Sequence, residues 1–380
     1  MTPQKNQEDP MKSIASRMRL KEGEEAIRRV LTSIHRSGKI GTKDIAKDAR
    51  LPIPVTAAIR RELEKEGLVA RKGGAILTTT GKYYVASSLG LSEASLTSPD
   101  NVEGEYTNQL HLFQKIMVGR PPASPELDQV HATPETSLKR ARYMKENGDL
   151  DGRKILFLGD DDLTSIASSI LGSARKIAVL DVDVRLVDYI SNVSADNNLK
   201  IECIEHDLRD PLPEEHLNKY DVFITDPPYT VEGLKLFLSR GLQSLRPRKT
   251  ANAYFSFADK PPLEMLKVNR ALNDMGMYIS ELIPRFNTYI GAEIFANTTS
   301  IYRVTVTEEA TPTITGFYNG KMYTAEVQPR LRYYGCRCGK KIKIGPKEMF
   351  TTIKLLKEAG CPNCNAHEGF RLRKRVNVKK

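Results

Sequence analysis

From residue 150 to about 307, short apolar runs and helix-periodic stretches take turns along the chain, and this alternation constrains the fold more than any other feature. Strands are expected at Lys154–Gly159, Lys176–Asp181, Lys200–Glu205, Asp221–Thr225, Ala251–Phe257, Met277–Pro284 and Ser300–Thr305. Helices are expected between them at Leu163–Leu171, Val184–Val193, Val231–Leu245 and Leu263–Met275. Seven strands with a ligand turn after the first predict an α/β fold, a seven-stranded doubly wound sheet of the methyltransferase-type Rossmann kind. In such a sheet ligands collect at the carboxyl ends of the strands, so the residues that close each strand are the first candidates for function.

The first strand, Lys154-Ile155-Leu156-Phe157-Leu158, runs into Gly159-Asp160-Asp161-Asp162. A dinucleotide turn at this place carries two further glycines that let the backbone approach phosphate. Three carboxylates instead repel a cofactor's own carboxylate or phosphates and attract a tail that ends in ammonium. Asp181 ends the second strand 22 residues after Gly159, where the fingerprint places the carboxylate that holds ribose hydroxyls. His206-Asp207-Leu208 follows the third strand, where such enzymes hydrogen-bond the exocyclic amine of adenine. The fourth strand ends in Asp226-Pro227-Pro228-Tyr229, the signature of enzymes that alkylate amino nitrogen. Two prolines stiffen the turn so that a carbonyl and the Asp226 carboxylate can orient an amine lone pair toward an electrophilic carbon. Tyr229 can set its ring face against the developing cation. The catalytic candidates are therefore Asp161, Asp162, Asp226 and Tyr229, and the cofactor-binding candidates Gly159, Asp160, Asp181, Asp207, Leu208 and Pro227.

The charge is unevenly spread. Lys and Arg number 58 against 47 Asp and Glu, a net +11 that taken alone points to nucleic acid. Residues 1–85 hold 18 positive and 10 negative side chains, and residues 326–380 hold 15 and 4. The middle, 86–325, keeps 25 and 33, or −8. An acidic middle suits a polycation, and basic ends suit a polyanion. With 380 residues the chain has room for several cores. Residues 1–20 read as a flexible arm and 21–85 as a winged helix-turn-helix-like domain. In the latter, helices Glu24 to Ser37, from Thr42 and Pro54 to Gly67 precede a wing at Leu68-Val69-Ala70 and Ala75-Ile76-Leu77-Thr78. Arg60, Arg61, Lys65, Arg71 and Lys72 stand where a groove reader needs them, although many winged helices serve only as structure. Residues 86–149 read as a linker and substrate-covering segment with a helical stretch near Tyr106 to Met117. Residues 150–325 are the Rossmann catalytic domain and 326–380 a zinc-ribbon-like segment with a basic tail. No secretion signal and no membrane-crossing apolar run is evident, so a soluble cytoplasmic protein without membrane contact is expected.

Four of five cysteines lie near the C-terminus as Cys336-Arg337-Cys338-Gly339 and Cys361-Pro362-Asn363-Cys364. Four thiolates suit a closed, structural tetrahedral Zn2+ site. The first pair is one residue shorter than a standard knuckle, which leaves His367 as an alternative ligand and a redox pair as a second reading. Cys203 sits alone in an expected strand and reads as core. Arg371, Arg373, Lys374, Arg375, Lys379 and Lys380 give the segment its basic end.

Gly159-Asp160-Asp161-Asp162 with Asp226-Pro227-Pro228-Tyr229, preceded by Asp128-Gln129 and Thr133-Pro134-Glu135-Thr136, resembles the branched-chain polyamine synthases, N(4)-bis(aminopropyl)spermidine synthases, over roughly residues 20–310. The resemblance implies transfer of aminopropyl groups from decarboxylated S-adenosylmethionine to the internal amine of spermidine, with release of methylthioadenosine. It also implies that Asp128 to Thr136 closes over the pocket and that Asp162 or Asp161, with Asp226, orients or deprotonates the amine. Expected partners are spermidine and related polyamines, a second copy of the chain in a homodimer, and nucleic acid at the basic ends. Two other readings stand beside this one: an S-adenosylmethionine-dependent amino methyltransferase acting on nucleic acid or protein, and a regulator without catalysis.

Overall fold

Apolar strand residues and capped, amphipathic helices build the elements in the expected places. The computed structural model describes residues 9–91, 102–247, 249–292, 296–324, 330–344, 348–350 and 353–377. The first eight residues of the expected arm and the tail cations Lys379 and Lys380 lie outside the described residues. The chain divides into two compact units. One comprises Met1–Ala123, Val130–Pro227 and Lys235–Tyr318, the other Ser124–Gln129, Pro228–Leu234 and Asn319–Lys380.

In the first unit α1 (Pro10–Met18) is capped by Asp9, whose carboxylate accepts the Met11 N–H, with Pro10 in the first turn. Met11, Ile14 and Ala15 are buried in the N-terminal core, so residues 10–18 form a packed helix and not the expected arm. Helices α2 (Glu24–Ser37), α3 (Thr42–Ala49) and α4 (Ile53–Lys65) follow, then the hairpin β1 (Val69–Arg71) and β2 (Ala75–Leu77) and α5 (Thr79–Ser87). Ala26, Ile27, Val30, Leu31 and Ile34 recur at helical spacing on α2 and are all fully buried. Ile40 bridges Ala75 and lengthens the hairpin. The buried Arg153 guanidinium grips both oxygens of Glu25 on α2, at 3.0 and 2.5 Å, and Arg28 donates to the Asp151 carbonyl. These N-terminal helices are thereby bound to the sheet domain.

After α6 (Val102–Met117), α7 (Pro134–Glu146) begins at a Thr133 cap with Pro134 and Glu135 in its first turn. Much of the stretch expected as linker is thus helical. The sheet alternates with helices thereafter: β3 (Lys154–Leu158), α8 (Thr164–Leu171), β4 (Lys176–Asp181), α9 (Val184–Asp196), β5 (Ile201–Glu205), β6 (Val222–Thr225), α10 (Val231–Ser244), β7 (Thr250–Phe257), α11 (Pro262–Asp274), β8 (Met277–Thr288) and β9 (Thr298–Thr307). The strand order is β5-β4-β3-β6-β7-β9-β8, parallel except for β9, which is antiparallel to both neighbours. Order reverses between β3 and β6, so their carboxyl ends flank the crevice where doubly wound sheets take ligands. β3 and β6 are apolar on both faces because helices cover both.

β8 runs beyond its expected end at Pro284. Register shifts between Ile279 and Glu281 and between Ile283 and Asn287 bend it, with Arg285 at φ 53°, and Asn287 arrives fully buried. Bulges re-aim side chains in this way beside functional sites.

In the second unit β10 (Arg330–Gly335) lies between β11 (Lys341–Ile344) and β12 (Arg371–Asn377), all antiparallel. Ile342, Ile344, Phe350 and Leu356 form a small core with Cys336 and Cys361. No helix among the described residues is long and apolar enough to cross a membrane.

Candidate active site

Gly159 leaves β3 at φ +70°, a conformation that favours glycine, and sends the next three residues into the crevice. A Cβ there would make only ordinary contacts, 3.7 Å from Phe237 and 4.0 Å from Asp181 Oδ2, so the glycine is required for its backbone angle and not for space.

The three aspartates that follow have three different environments. Asp160 is buried and turns back onto its own helix, where its oxygens accept the N–H groups of Thr164 at 2.8 Å and Ser165 at 3.1 Å. It caps α8 in place of the residue before the helix, Leu163, which is left-handed at φ 55°. Burial raises the Asp160 carboxyl to about 8 against these hydrogen bonds. Asp162 is 2% exposed, and both its oxygens are engaged: Oδ1 accepts the Ala132 N–H at 2.6 Å, Oδ2 a guanidinium N–H of Arg140 at 2.7 Å. Asp161 is half-buried between them. Desolvation and the charges of Asp162, Asp226 and Asp181 raise its carboxyl well above the usual range, with Arg120 opposing.

Asp181, at the end of β4, accepts the Asp160 N–H at 2.9 Å and the Asp183 N–H at 2.8 Å, and burial raises its carboxyl. Asp226, at the end of β6, accepts Arg140 at 2.7 Å and the Tyr289 hydroxyl at 2.6 Å. Gly159, Asp160, Asp161, Asp162, Asp181 and Asp226 are therefore brought together at one sheet edge. The buried Thr164 hydroxyl also lines the pocket and makes no hydrogen bond among the described residues. A buried hydroxyl without a partner beside a glycine turn and ionisable carboxylates fits a polar, cationic ligand.

The remaining candidates are placed elsewhere. Asp207 closes its own turn, accepting the Arg209 N–H at 2.9 Å, and does not line the cavity around Gly159. Leu208 is buried, and its carbonyl accepts Arg240 Nε at 2.9 Å. Pro227 is buried, and Tyr229 is half-buried.

The sequence reading missed Arg140, which organises the site. It is 2% exposed on α7, donates Nε–H to Asn287 at 2.8 Å, and its two terminal nitrogens tie Asp162 to Asp226 and Tyr289. One guanidinium thus holds a carboxylate from the acidic turn and one from the amine motif in a fixed relation, a geometry suited to a planar fork. The cavity that remains between them is only about 10 Å3. The missed signal was available: Thr133-Pro134-Glu135 marks a helix start, and a helix from Pro134 places Ser137, Arg140 and Ala141 on one face. That face is buried, and Ser137 donates to the Asp162 carbonyl at 2.6 Å. Asn287 and Tyr289 had no such signal, because the β8 bulges deliver them.

Residues 130–136 lie against the same edge. Ala132 bridges Tyr289, the Thr133 N–H reaches the Thr288 carbonyl at 2.9 Å, and the Arg120 guanidinium donates to the Asp161 carbonyl at 3.2 Å. His131 beside them is held neutral, its ring pushed down to about 4 by burial and Arg120.

In the second unit the sulfurs of Cys336 and Cys364 are 3.6 Å apart and those of Cys338 and Cys361 3.8 Å, and all four lie within 4.8 Å of one another. A tetrahedron with Zn–S of about 2.3 Å has sulfurs roughly 3.8 Å apart, so the set fits one zinc ion. His367, the alternative ligand, donates Nδ1–H to the Lys357 carbonyl at 2.7 Å and is not among the clustered atoms. The Lys340 N–H and the Asn363 amide pull the Cys338 thiol down to about 6, toward the thiolate a metal requires. Cys203 is half-buried in β5 and is not one of the clustered thiols, and burial raises its thiol to about 11.

Comparison with known proteins adds to this geometry. The model of the branched-chain polyamine synthase A C-terminal domain matches residues 108–350. An uncharacterised protein of Methanocaldococcus jannaschii is 40% identical over 381 residues, spanning 97% of this chain and 94% of the relative. The N(4)-bis(aminopropyl)spermidine synthase of the same organism is 37% identical, over 63% of this chain and 71% of its own length. The synthase of that name from Thermococcus kodakarensis is 32% identical, over 70% and 78%. Among solved structures, the Thermus thermophilus branched-chain polyamine synthase in complex with N4-aminopropylspermidine and 5'-methylthioadenosine aligns with a TM-score of 0.52 at 24% identity, over 82% of this chain and 96% of that one. That structural likeness speaks for the fold alone.

Proposed function

The chain belongs to the branched-chain polyamine synthase family, and from that membership we propose that its acidic crevice binds a polyamine beside an adenosyl sulfonium. It is an aminopropyltransferase of branched-chain polyamine biosynthesis. Aminopropyl groups pass to the internal nitrogen of spermidine, giving N(4)-aminopropylspermidine and then N(4)-bis(aminopropyl)spermidine, and methylthioadenosine leaves. The observation that carries this reading is the convergence of Asp160, Asp161, Asp162 and Asp226 around a pocket with a single buried guanidinium, with Asp181 on the same sheet edge accepting the Asp160 N–H.

The donor is decarboxylated S-adenosylmethionine. Its tail ends in ammonium, whereas the carboxylate of S-adenosylmethionine itself would meet Asp161 and Asp162. Asp181 and Asp207 are assigned to ribose and adenine. Of the two candidates for the base, Asp161 takes the role, because both oxygens of Asp162 are engaged in holding Ala132 and Arg140. A carboxyl raised toward the range of the amine is the better proton acceptor. The acceptor nitrogen first gives its proton to Asp161; its freed lone pair then attacks the aminopropyl carbon on sulfur, and the C–S bond breaks with its electrons on sulfur. Asp226 orients the nitrogen and Tyr229 faces the developing ammonium. The stretch Asp128 to Thr136 is the cover, a role supported by the hydrogen bonds from Ala132 to Asp162 and from Thr133 to Thr288.

Residues 21–85 are assigned as a winged helix with a structural role. On α4, Arg60 pairs with Glu64 and Lys65 with Glu62, so two of the five cations a groove reader would use are partly neutralised. Residues 326–380 are a zinc ribbon, with zinc held by Cys336, Cys338, Cys361 and Cys364 as a folding element. Assembly as a cytoplasmic homodimer completes the proposal.

Incubation with spermidine and either form of the cofactor tests the reaction. Methylthioadenosine and branched product from the decarboxylated form are the expected result. S-adenosylhomocysteine from the carboxylated form, with nucleic acid or protein as acceptor, would overturn it in favour of a methyltransferase.

A further inference from the structure

The zinc-binding unit carries a surface that the transfer chemistry does not use. The family model ends at residue 350, before Cys361 and Cys364, so the unit is completed by residues outside the matched segment.

Its three-stranded sheet has two unlike faces. Ile342 and Ile344 of β11 point into the core around the cysteines, and alternation therefore puts Lys341 and Lys343 on the outer face, where both are exposed. Register carries that face across the sheet: Tyr333 of β10 stands between Lys343 on one side and Lys374 on the other, and Gly335 between Lys341 and Arg371. The register slips at Tyr333 and Tyr334, so that Arg373 is an extra residue on β12. Its side chain lies over Gly335, where a Cβ would come within 2.9 Å of Arg373 Nε, and so joins the outer face and not the core. The bulge thus places Arg371, Arg373 and Lys374 on one side of the strand, where strict alternation would set Lys374 opposite the other two. Arg371, Arg373 and Lys374 are all exposed, and Lys343 Nζ is 5.9 Å from the Tyr333 ring centroid. Five exposed cations surround one half-buried aromatic ring, and among the described residues no carboxylate occupies a register position on this face.

We propose that the outer face of the β11-β10-β12 sheet is a docking surface for single-stranded nucleic acid, with Tyr333 as the base-stacking platform and Lys343 and Lys374 as phosphate contacts on either side. A cationic face alone would accept any polyanion. An aromatic ring flanked in register by cations on two neighbouring strands selects a ligand that alternates flat bases with phosphates. Strand spacing sets the scale: Lys343 and Lys374 project from strands separated by two steps of about 4.8 Å, a span that a backbone can cross in one to two nucleotides.

The test uses the full zinc-loaded chain and a fluorescein-labelled 12-nucleotide single-stranded RNA of mixed sequence, read by anisotropy across a salt series. Saturable binding is expected, at least about fivefold weaker in Tyr333→Ala and close to wild type in Tyr333→Phe, because stacking needs a ring and not a hydroxyl. Lys343→Glu with Lys374→Glu should flatten the salt dependence by about 1.4 in log–log slope, two contacts at roughly 0.7 each. Methylthioadenosine release should be unchanged in all three variants, which separates failure of this proposal from failure of the transferase assignment. Absence of saturable binding, equal binding by Tyr333→Ala and wild type, or equal competition by polyglutamate would each overturn the proposal, the last in favour of an acidic protein partner.

Discussion

Replacing Arg140 with methionine tests the central feature of the site. The guanidinium makes four hydrogen bonds, to Asn287, Asp162, Asp226 and Tyr289, at 2.7 to 2.8 Å, and the side chains of Arg140 and Asp162 are each 3% exposed. Methionine has similar length and no charge, so Asp162 and Asp226 lose their common cation in a desolvated place. Removing one partner of a buried ion pair in this way costs about 3–5 kcal/mol. For domains of 150–250 residues that is a fall of roughly 2–4 °C in melting temperature for each kcal/mol. The loss must also depend on pH. Without Arg140 the two carboxylates repel each other, so protonation relieves them, and Arg140→Met should lie closer to wild type at pH 5 than at pH 8. Spermidine should raise the melting temperature of the variant more than that of wild type, since it brings cations to the same oxygens. Arg140→Lys keeps the charge but cannot fork between two carboxylates, and should fall between the two. Differential scanning calorimetry at both pH values, with and without spermidine, reads all of this. A loss below about 1 kcal/mol, or the same loss at pH 5 and pH 8, would refute the reasoning, because a buried pair with two anionic partners allows neither.

Asp161→Asn should abolish methylthioadenosine release with a small change in melting temperature, whereas Asp162→Asn should lower both, since Asp162 anchors Ala132 and Arg140; comparable melting of the two variants would show that Asp162 is not a scaffold. Polyamine binding should release protons near pH 7, because Asp160 sits at about 8 and Asp161 is raised well above the usual carboxylate range, and arriving cations lower both. Calorimetry in two buffers of different ionisation enthalpy should show that release shrinking above pH 8, and a pH-independent value would contradict the shifts. The empty protein should correspondingly lose stability as pH rises from the ordinary 3.8 of an aspartate through about 8, the sign for an acid whose folded value is raised. A chelator that strips zinc should unfold the second unit's cysteine core, with one zinc released per chain in a colorimetric assay, and chains that hold no zinc after metal-replete expression would remove the assignment.

The acidic sheet edge was legible because it depends on local patterns. Buried parallel strands read as apolar runs, a glycine with positive φ reads as a turn, and strand ends in a doubly wound sheet face the ligand by topology; Gly159, Asp160, Asp161, Asp162, Asp181 and Asp226 followed from these three rules. The cysteine spacing was legible for a similar reason, since two short turns bring four sulfurs within tetrahedral reach. Asp207 shows what strand position alone leaves open: it closes the third expected strand as foreseen, but its carboxylate accepts the Arg209 N–H within its own turn, a contact that a strand pattern does not reveal. The arm expected at residues 10–18 failed for another reason. Its helix is too short to reveal periodicity and is held by the partners it packs against.

What the sequence determined by itself is therefore the sheet, its acidic edge and the class of ligand that edge attracts, because strand alternation and carboxylate charge are properties of neighbours in the chain. Only the tertiary structure decided how the carboxylates divide their work. Arg140 comes from α7, Asn287 and Tyr289 from a bulged strand about 150 residues further on, and their meeting occupies both oxygens of Asp162 while leaving Asp161 raised and half-buried. A buried charge takes its state from whatever lies within a few ångströms of it, and that environment is assembled from distant parts of the chain.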